Sequence, residues 1–141
     1  MQEIKFTVYG TPTPKGRPKV VRKGKFSVAY TPKKTREGEQ TFLQQAIKHK
    51  PAKPLSGPIK VTIRFFKLKP KSLPKRVVHN VKKPDVDNLI KLVLDTMNSI
   101  FFQDDSQIVE LVSSKQYGQT PRTEVTLTAI EEEVDQKPKK V

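Results

Sequence analysis

The chain has 141 residues, no cysteine, and 28 basic against 14 acidic residues, a formal net charge of +14. That length suits one domain around a single core, and the lack of Cys excludes disulfides and thiolate-bound zinc. A pI near 10.0 leaves nucleic acid, an anionic membrane surface or an acidic protein as partners. No basic amphipathic helix with a strong apolar face is present, so the membrane surface drops out and nucleic acid is favoured. No run of about 20 apolar residues exists, so no membrane-spanning helix is expected.

Ile4, Phe6 and Val8 alternate with Lys5, Thr7 and Tyr9, the period of a half-buried strand. The N-terminus therefore reads as a strand start rather than a signal peptide, and a cytoplasmic location is expected. Residues 10 to 18 hold three prolines and two glycines, which cannot sustain a ladder and predict a loop. Val20 to Arg22 and Lys25 to Tyr30 read as a hairpin turning at Lys23-Gly24. Thr31-Pro32 offers a cap and a first-turn proline for a helix to about Lys48. Its apolar stripe would be Phe42, Leu43, Ala46 and Ile47.

After a turn-rich connector at residues 51 to 58, Ile59, Val61, Ile63 and Phe65 alternate with polar residues and predict a strand. Neighbouring strand residues point to opposite faces, so one of Phe65 and Phe66 is expected at the surface, a candidate wedge between DNA bases. Residues 70 to 81 should be an exposed, mobile loop. A helix is expected from Asp85 or Asp87 to Ile100, with Leu89, Val93, Met97 and Ile100 on its apolar face. Gln107 to Tyr117 and Thr123 to Ile130 read as two closing strands. The order βββα-β-αββ indicates an α/β (α+β) fold, a single compact domain in which two main helices pack on a mixed sheet. The domain is placed at residues 1–131, followed by a charged tail at 132–141.

Chemistry concentrates in two acidic pairs, Asp85/Asp87 and Asp104/Asp105, set in a strongly basic chain. Hard divalent cations take oxygen ligands, and one or two carboxylates with water and a substrate phosphate suffice. A metal ion between such carboxylates and a nucleic-acid phosphate is therefore one reading. The other is structural: Asp85 or Asp87 as a helix cap, Asp104-Asp105-Ser106 as a turn, and Lys91 as an i,i+4 partner of Asp87. The second pair lies about 20–25 Å along the helix axis from the first unless the chain folds back. Two acid-free basic runs are candidates for binding phosphate: Lys15, Arg17, Lys19, Arg22, Lys23 and Lys25, then Lys69, Lys71, Lys75, Arg76, Lys82 and Lys83. His49 and His79 are too scattered to form a zinc site.

The series Asp85-Val86-Asp87-Asn88-Leu89-Ile90-Lys91, Leu94-Asp95 and Asp104-Asp105-Ser106-Gln107-Ile108 closely resembles the signature of the RusA family of Holliday junction resolvases. The similarity extends to Pro14-Lys15-Gly16-Arg17-Pro18 and to the basic stretch before Asp85. The resemblance implies a homodimeric crossover junction endodeoxyribonuclease, bacterial or prophage-encoded, that resolves four-way DNA junctions by paired symmetric nicks. It implies Mg²⁺ as cofactor, with Mn²⁺ as a substitute, and no organic cofactor. Asp85, Asp87 and Asp105 carry over as metal-binding and catalytic carboxylates, and Lys91 as the catalytic lysine. Asp104 matches the first acid of the family's paired aspartates, with a supporting role. The products would be 5′-phosphate and 3′-hydroxyl ends. The competing expectations are a non-catalytic branched-DNA-binding protein and a less selective flap or fork nuclease.

Overall fold

A computed structural model describes residues 2–132; the tail expected from 132 onward lies outside the described residues apart from Glu132. Six strands and two helices follow in the order read from the sequence: β1 (Glu3–Tyr9), β2 (Lys19–Lys23), β3 (Phe26–Tyr30), α1 (Lys33–Ala46), β4 (Ile59–Leu68), α2 (Val86–Met97), β5 (Ile108–Gly118) and β6 (Arg122–Ala129). Four strands form one mixed sheet in the order β1-β6-β4-β5. All its pairs are antiparallel except β4 with β5, which run parallel. A parallel pair needs a crossover, and α2 supplies it. Within the described residues no helix is long and apolar enough to cross a membrane.

Alternation decides which face of the sheet is covered. Ile59, Val61, Ile63 and Phe65 of β4 lie in register with Val125 and Leu127 of β6 and Phe6 of β1, and all are buried. Leu89, Val93 and Met97 of α2 and Phe42 and Ala46 of α1 close over that face. On the other face Thr126, Thr128, Thr62 and Arg64 meet no helix, which is why the same strands carry a polar residue at every second position.

Several local expectations are corrected. The α1 cap position belongs to Pro32, without a side-chain cap bond, so Thr31 does not cap; Ile47 is exposed rather than part of the stripe. Helix α2 stops at Met97 instead of Ile100, because Ser99 turns left-handed (φ 68°) and the chain reverses. That reversal buries Phe101 and Phe102 completely. Residues 70 to 81 are less free than a mobile loop. Turns close at Pro70–Leu73 and Pro74–Val77, and Asn80 is buried against β5.

Strands β2 and β3 pair only with each other, and every residue in them is exposed. The expectation of an exposed phenylalanine at 65 or 66 is not met: both are buried, Phe66 beneath the Arg122 guanidinium at 3.8 Å from its ring centre. The exposed phenylalanine is Phe26, 76% accessible, next to the hairpin turn.

Candidate functional site

Helix α2 begins where β4 and β5 end, so its N-terminus opens at the carboxyl ends of a parallel strand pair. Ligand sites in open α/β sheets gather there, because side chains diverge and helix N–H groups point outward. Asp85 occupies the N-cap position in extended conformation, yet its carboxylate makes no cap hydrogen bond. Lys83 pairs with it, with Nζ 3.4 Å from Oδ1. Asp87, in the first turn, is exposed and, among the described residues, has no ion pair. Lys91 does not pair with Asp87; its Nζ lies 3.4 Å from Asp95 Oδ2. The structural account of these two aspartates therefore loses its cap bond and its i,i+4 partner.

The proline-rich loop at residues 11 to 17 forms the facing wall, and it is strapped down at four points. Lys15 N–H donates to Asn88 O at 2.9 Å, tying the loop to α2. Gly16 N–H donates to Thr35 Oγ1 at 2.8 Å, and a Cβ on Gly16 would sit 2.8 Å from that oxygen. Gly38 of α1 similarly admits Thr13, whose Cγ2 would be 2.7 Å from an added Cβ. Lys15 Nζ bridges the helices, 2.8 Å from Glu39 Oε1 and 3.2 Å from Asp95 Oδ2. Burial pulls the Lys15 ammonium down, but hydrogen bonds to Glu39 and Asp95 and their charges outweigh this and hold it above the ordinary lysine value. Lys15 is thus engaged within the fold, while Arg17, Lys19, Arg22 and Lys23 stand exposed.

Between the loop and the start of α2 lies a cleft of about 530 Å³ whose charged lining is Lys15, Arg17, Lys67, Lys83 and Asp85. Its far side is positioned by Lys115 of β5, whose Nζ donates to Lys82 O at 2.7 Å and Pro84 O at 2.9 Å. Asn80 assists: its Oδ1 accepts from Lys82 N–H, and its own N–H reaches Lys115 O. Lys67, Lys115, Asn80, Thr35, Glu39 and Asp95 were not singled out as site residues from the sequence. Only Asp95 carried a signal, its place in the motif. The others come from β4, β5, α1 and the loop before α2. Lys71, Lys75, Arg76, Lys82 and Lys83 are exposed, with Lys69 half-buried.

The second acidic pair is built differently. Asp104 caps a 3-10 turn at Asp105–Gln107: its Oδ2 accepts from Ser106 N–H, and its own N–H donates to Gln107 Oε1 at 2.7 Å. Hydrogen bonds from Ser106, side chain first and then backbone, hold its carboxyl below the ordinary aspartate value. Gln107 Nε2 also donates to Leu55 O and Gly57 O, each at 2.9 Å, anchoring the connector before β4. Asp105 is exposed and makes no such bond. It precedes β5, whereas Asp85 lies at the opposite end of that strand. Helix α2, 12 residues long, separates the two ends by about 18 Å. One chain does not bring Asp105 to Asp85 and Asp87, and among the described residues no three His, Asp or Glu side chains gather closely enough to hold a metal ion. Two exposed carboxylates, of which Asp85 lines a cationic cleft, still suit a hard cation that completes its shell with water and phosphate.

A family profile described as Endodeoxyribonuclease RusA matches residues 9–128. A protein of Bacillus subtilis (strain 168), described as uncharacterized protein YqaN, is 36% identical over 141 residues, covering 92% of this chain and 99% of the relative. The chain belongs to the RusA endodeoxyribonuclease family, and its mixed sheet with two helices agrees with that assignment.

Proposed function

We propose that this RusA-family chain is a Mg²⁺-dependent endodeoxyribonuclease that acts as a homodimer and resolves four-way DNA junctions by paired symmetric nicks. The observation that carries the reading is the start of α2: Asp85 and Asp87 make no cap bond, and Asp85 lines a cleft walled by cations. A capping aspartate is ordinarily engaged by its own helix. Here neither carboxylate caps its helix, and Asp85 is paired with the exposed Lys83.

Asp85, Asp87 and Asp105 would hold Mg²⁺, which when bound neutralises phosphate charge and lowers the pKa of water. Lys91 offers its ammonium one turn beyond Asp87, steadied by Asp95, where it can stabilise charge on the phosphate under attack. Lys15 keeps the loop wall closed on α2, so that Arg17 and Lys83 face the same cleft. The hairpin cations Lys19, Arg22 and Lys23 and the run Lys69, Lys71, Lys75, Arg76 and Lys82 neutralise backbone phosphates along the junction arms, adding affinity without sequence preference. A two-fold dimer suits a two-fold junction, since resolution needs equivalent cuts on two strands.

The deciding experiment digests a synthetic four-way junction with Mg²⁺ and maps the ends on all four strands, alongside flap, fork and linear duplex. Symmetric paired nicks on the junction alone are expected; cutting of flaps or forks at equal rate would replace junction resolution with a less selective nuclease. The separation of Asp105 from Asp85 within one chain favours a second reading, non-catalytic binding of branched DNA. Binding without Mg²⁺-dependent cutting by the unaltered protein would establish it.

A further inference from the structure

We propose that one face of the β2–β3 hairpin is a stacking platform for unpaired bases of a DNA strand, leading away from the cleft at the start of α2. The inference rests on the DNA-binding side of the proposed function and adds base contacts to the phosphate contacts given there. It needs no step of the cutting reaction.

The register of the hairpin sorts its side chains. Directly opposed residues of an antiparallel pair share a face, and every second pair shares the same one. Lys19 lies opposite Tyr30, Val21 opposite Val28, and Lys23 opposite Phe26, so these six side chains make one face. The other face carries Val20 with Ala29 and Arg22 with Ser27, and no ring. Both aromatic residues of the hairpin thus fall on one side, each directly across from a lysine. Phe26 and Tyr30 are four residues apart on β3, about 13 Å, and the two valines lie between them.

The fold leaves this face open. Phe26 is 76% and Tyr30 44% exposed, and Val21 and Val28 are exposed beside them. Neither ring packs on another aromatic ring among the described residues. A two-stranded hairpin alone is marginally stable at best in water, and these apolar side chains contribute nothing to the core. The surrounding charge selects what covers them. No acidic residue stands between Glu3 and Glu37, while residues 15 to 25 hold six cations. A second copy would bring the same cations, and an apolar protein surface would leave them unpaired. A DNA strand with open bases meets both features: its phosphates pair with the lysines and its base faces lie on the rings.

Position explains why the bases are unpaired ones. Inside a duplex each base is stacked on its neighbours, so a side chain reaches its face only where the stack is interrupted. A strand that crosses between duplex arms offers such a place. Lys19 follows Arg17 by two residues, and Arg17 lines the cleft. The Tyr30 end of the platform therefore adjoins the cleft and the Phe26 end leads away from it. Because every base has a π-face, the platform accepts a strand without reading its sequence.

The chain has no tryptophan, so Phe26→Trp is a single fluorescent reporter of the platform, read without Mg²⁺ and hence without cutting. Its emission is expected to be quenched by a short single-stranded thymidine oligonucleotide and unchanged by an abasic strand of the same length and charge. Phe26→Ala is expected to weaken binding of the thymidine strand on the order of 10-fold. The slope of log affinity against log salt should stay as in wild type, because no phosphate contact is lost. Phe26 lies outside the core, so thermal unfolding of this variant should match wild type. Equal affinity of wild type for the thymidine and abasic strands, or bound thymidine strand without quenching, overturns the platform and leaves the hairpin a phosphate contact only. Reporter emission that shifts with protein concentration in the absence of DNA assigns the face to a second copy and overturns it too. If the unaltered protein cuts no junction, the nuclease reading fails, while quenching by the thymidine strand alone still establishes the platform.

Discussion

The start of α2 and the start of β5 each present two aspartates, and the backbone assigns them opposite tasks. At the second, Asp104 is bound by the N–H of Ser106 and has become part of a turn, leaving Asp105 alone. At the first, neither Asp85 nor Asp87 accepts a cap bond. Similar local sequence thus yields one capping and one non-capping carboxylate in one place and two non-capping carboxylates in the other. What distinguishes them is whether the following N–H groups fold back onto the side chain.

The largest effect expected from breaking this contrast is at the free pair. Asp87→Asn should lower Mg²⁺-dependent junction nicking by on the order of 100-fold or more, while junction binding in a gel-shift assay is retained or tightened. Near wild-type cutting by this variant removes the catalytic assignment. Next comes the support of that pair. Lys115→Met frees Lys82 O and Pro84 O from their donor and should slow nicking by roughly 10-fold, as loss of an orienting partner does elsewhere. Thermal unfolding of the same variant tells slackened positioning from loss of fold.

Replacing Lys19 and Lys23 with Ser should reduce the slope of log affinity against log salt by about 0.9 for each phosphate that is no longer neutralised. An unchanged slope would mean that the hairpin does not touch DNA. A smaller change is expected for Lys15→Gln, on the order of 1 kcal/mol of stability at pH 7, since the bridge is only partly screened at 23% side-chain exposure. The Lys15 pKa is raised in the folded state, so its contribution is fully present below the ordinary value of 10.5 and is lost as pH climbs through the raised one. Denaturant titrations at pH 7 and in strong alkali should therefore converge for wild type and variant.

The smallest functional effect belongs to Asp104→Asn. A turn-forming residue can be exchanged for one that also caps, so nicking should fall by less than an order of magnitude. The Asp104 pKa is lowered in the folded state, so its contribution is present above the ordinary aspartate value and fades as the solution is acidified through the lowered one. Loss of cutting equal to that of Asp105→Asn would erase the distinction between the tied and the free carboxylate.

Much of the fold was legible because short-range periodicity reports burial. The alternation from Ile59 to Phe65 and the spacing Leu89, Val93, Met97 describe one strand and one helix that the core then uses. Legibility ended where partners are remote. Phe66 reads as an outward residue of β4, and Arg122, from a neighbouring strand, covers its ring. Asn80 sits in a run that looks like open loop, and Lys115 of β5 ties it down. The motif located Asp85, Asp87 and Asp105, but the straps on the cleft wall lie at Thr35, Gly38 and Glu39, ordinary residues of a helix.

By itself the sequence determined the order of elements, the basic character, the two acidic pairs and the family. Those properties depend on neighbours a few positions apart or on summed charge. Only the tertiary structure decided that Asp104 caps a turn while Asp85 makes no cap bond, that Lys15 spans two helices, and that Asp105 stands at the far end of β5 from the cleft. Such outcomes turn on which carbonyls, amides and charges meet across the fold, and no local pattern encodes that meeting.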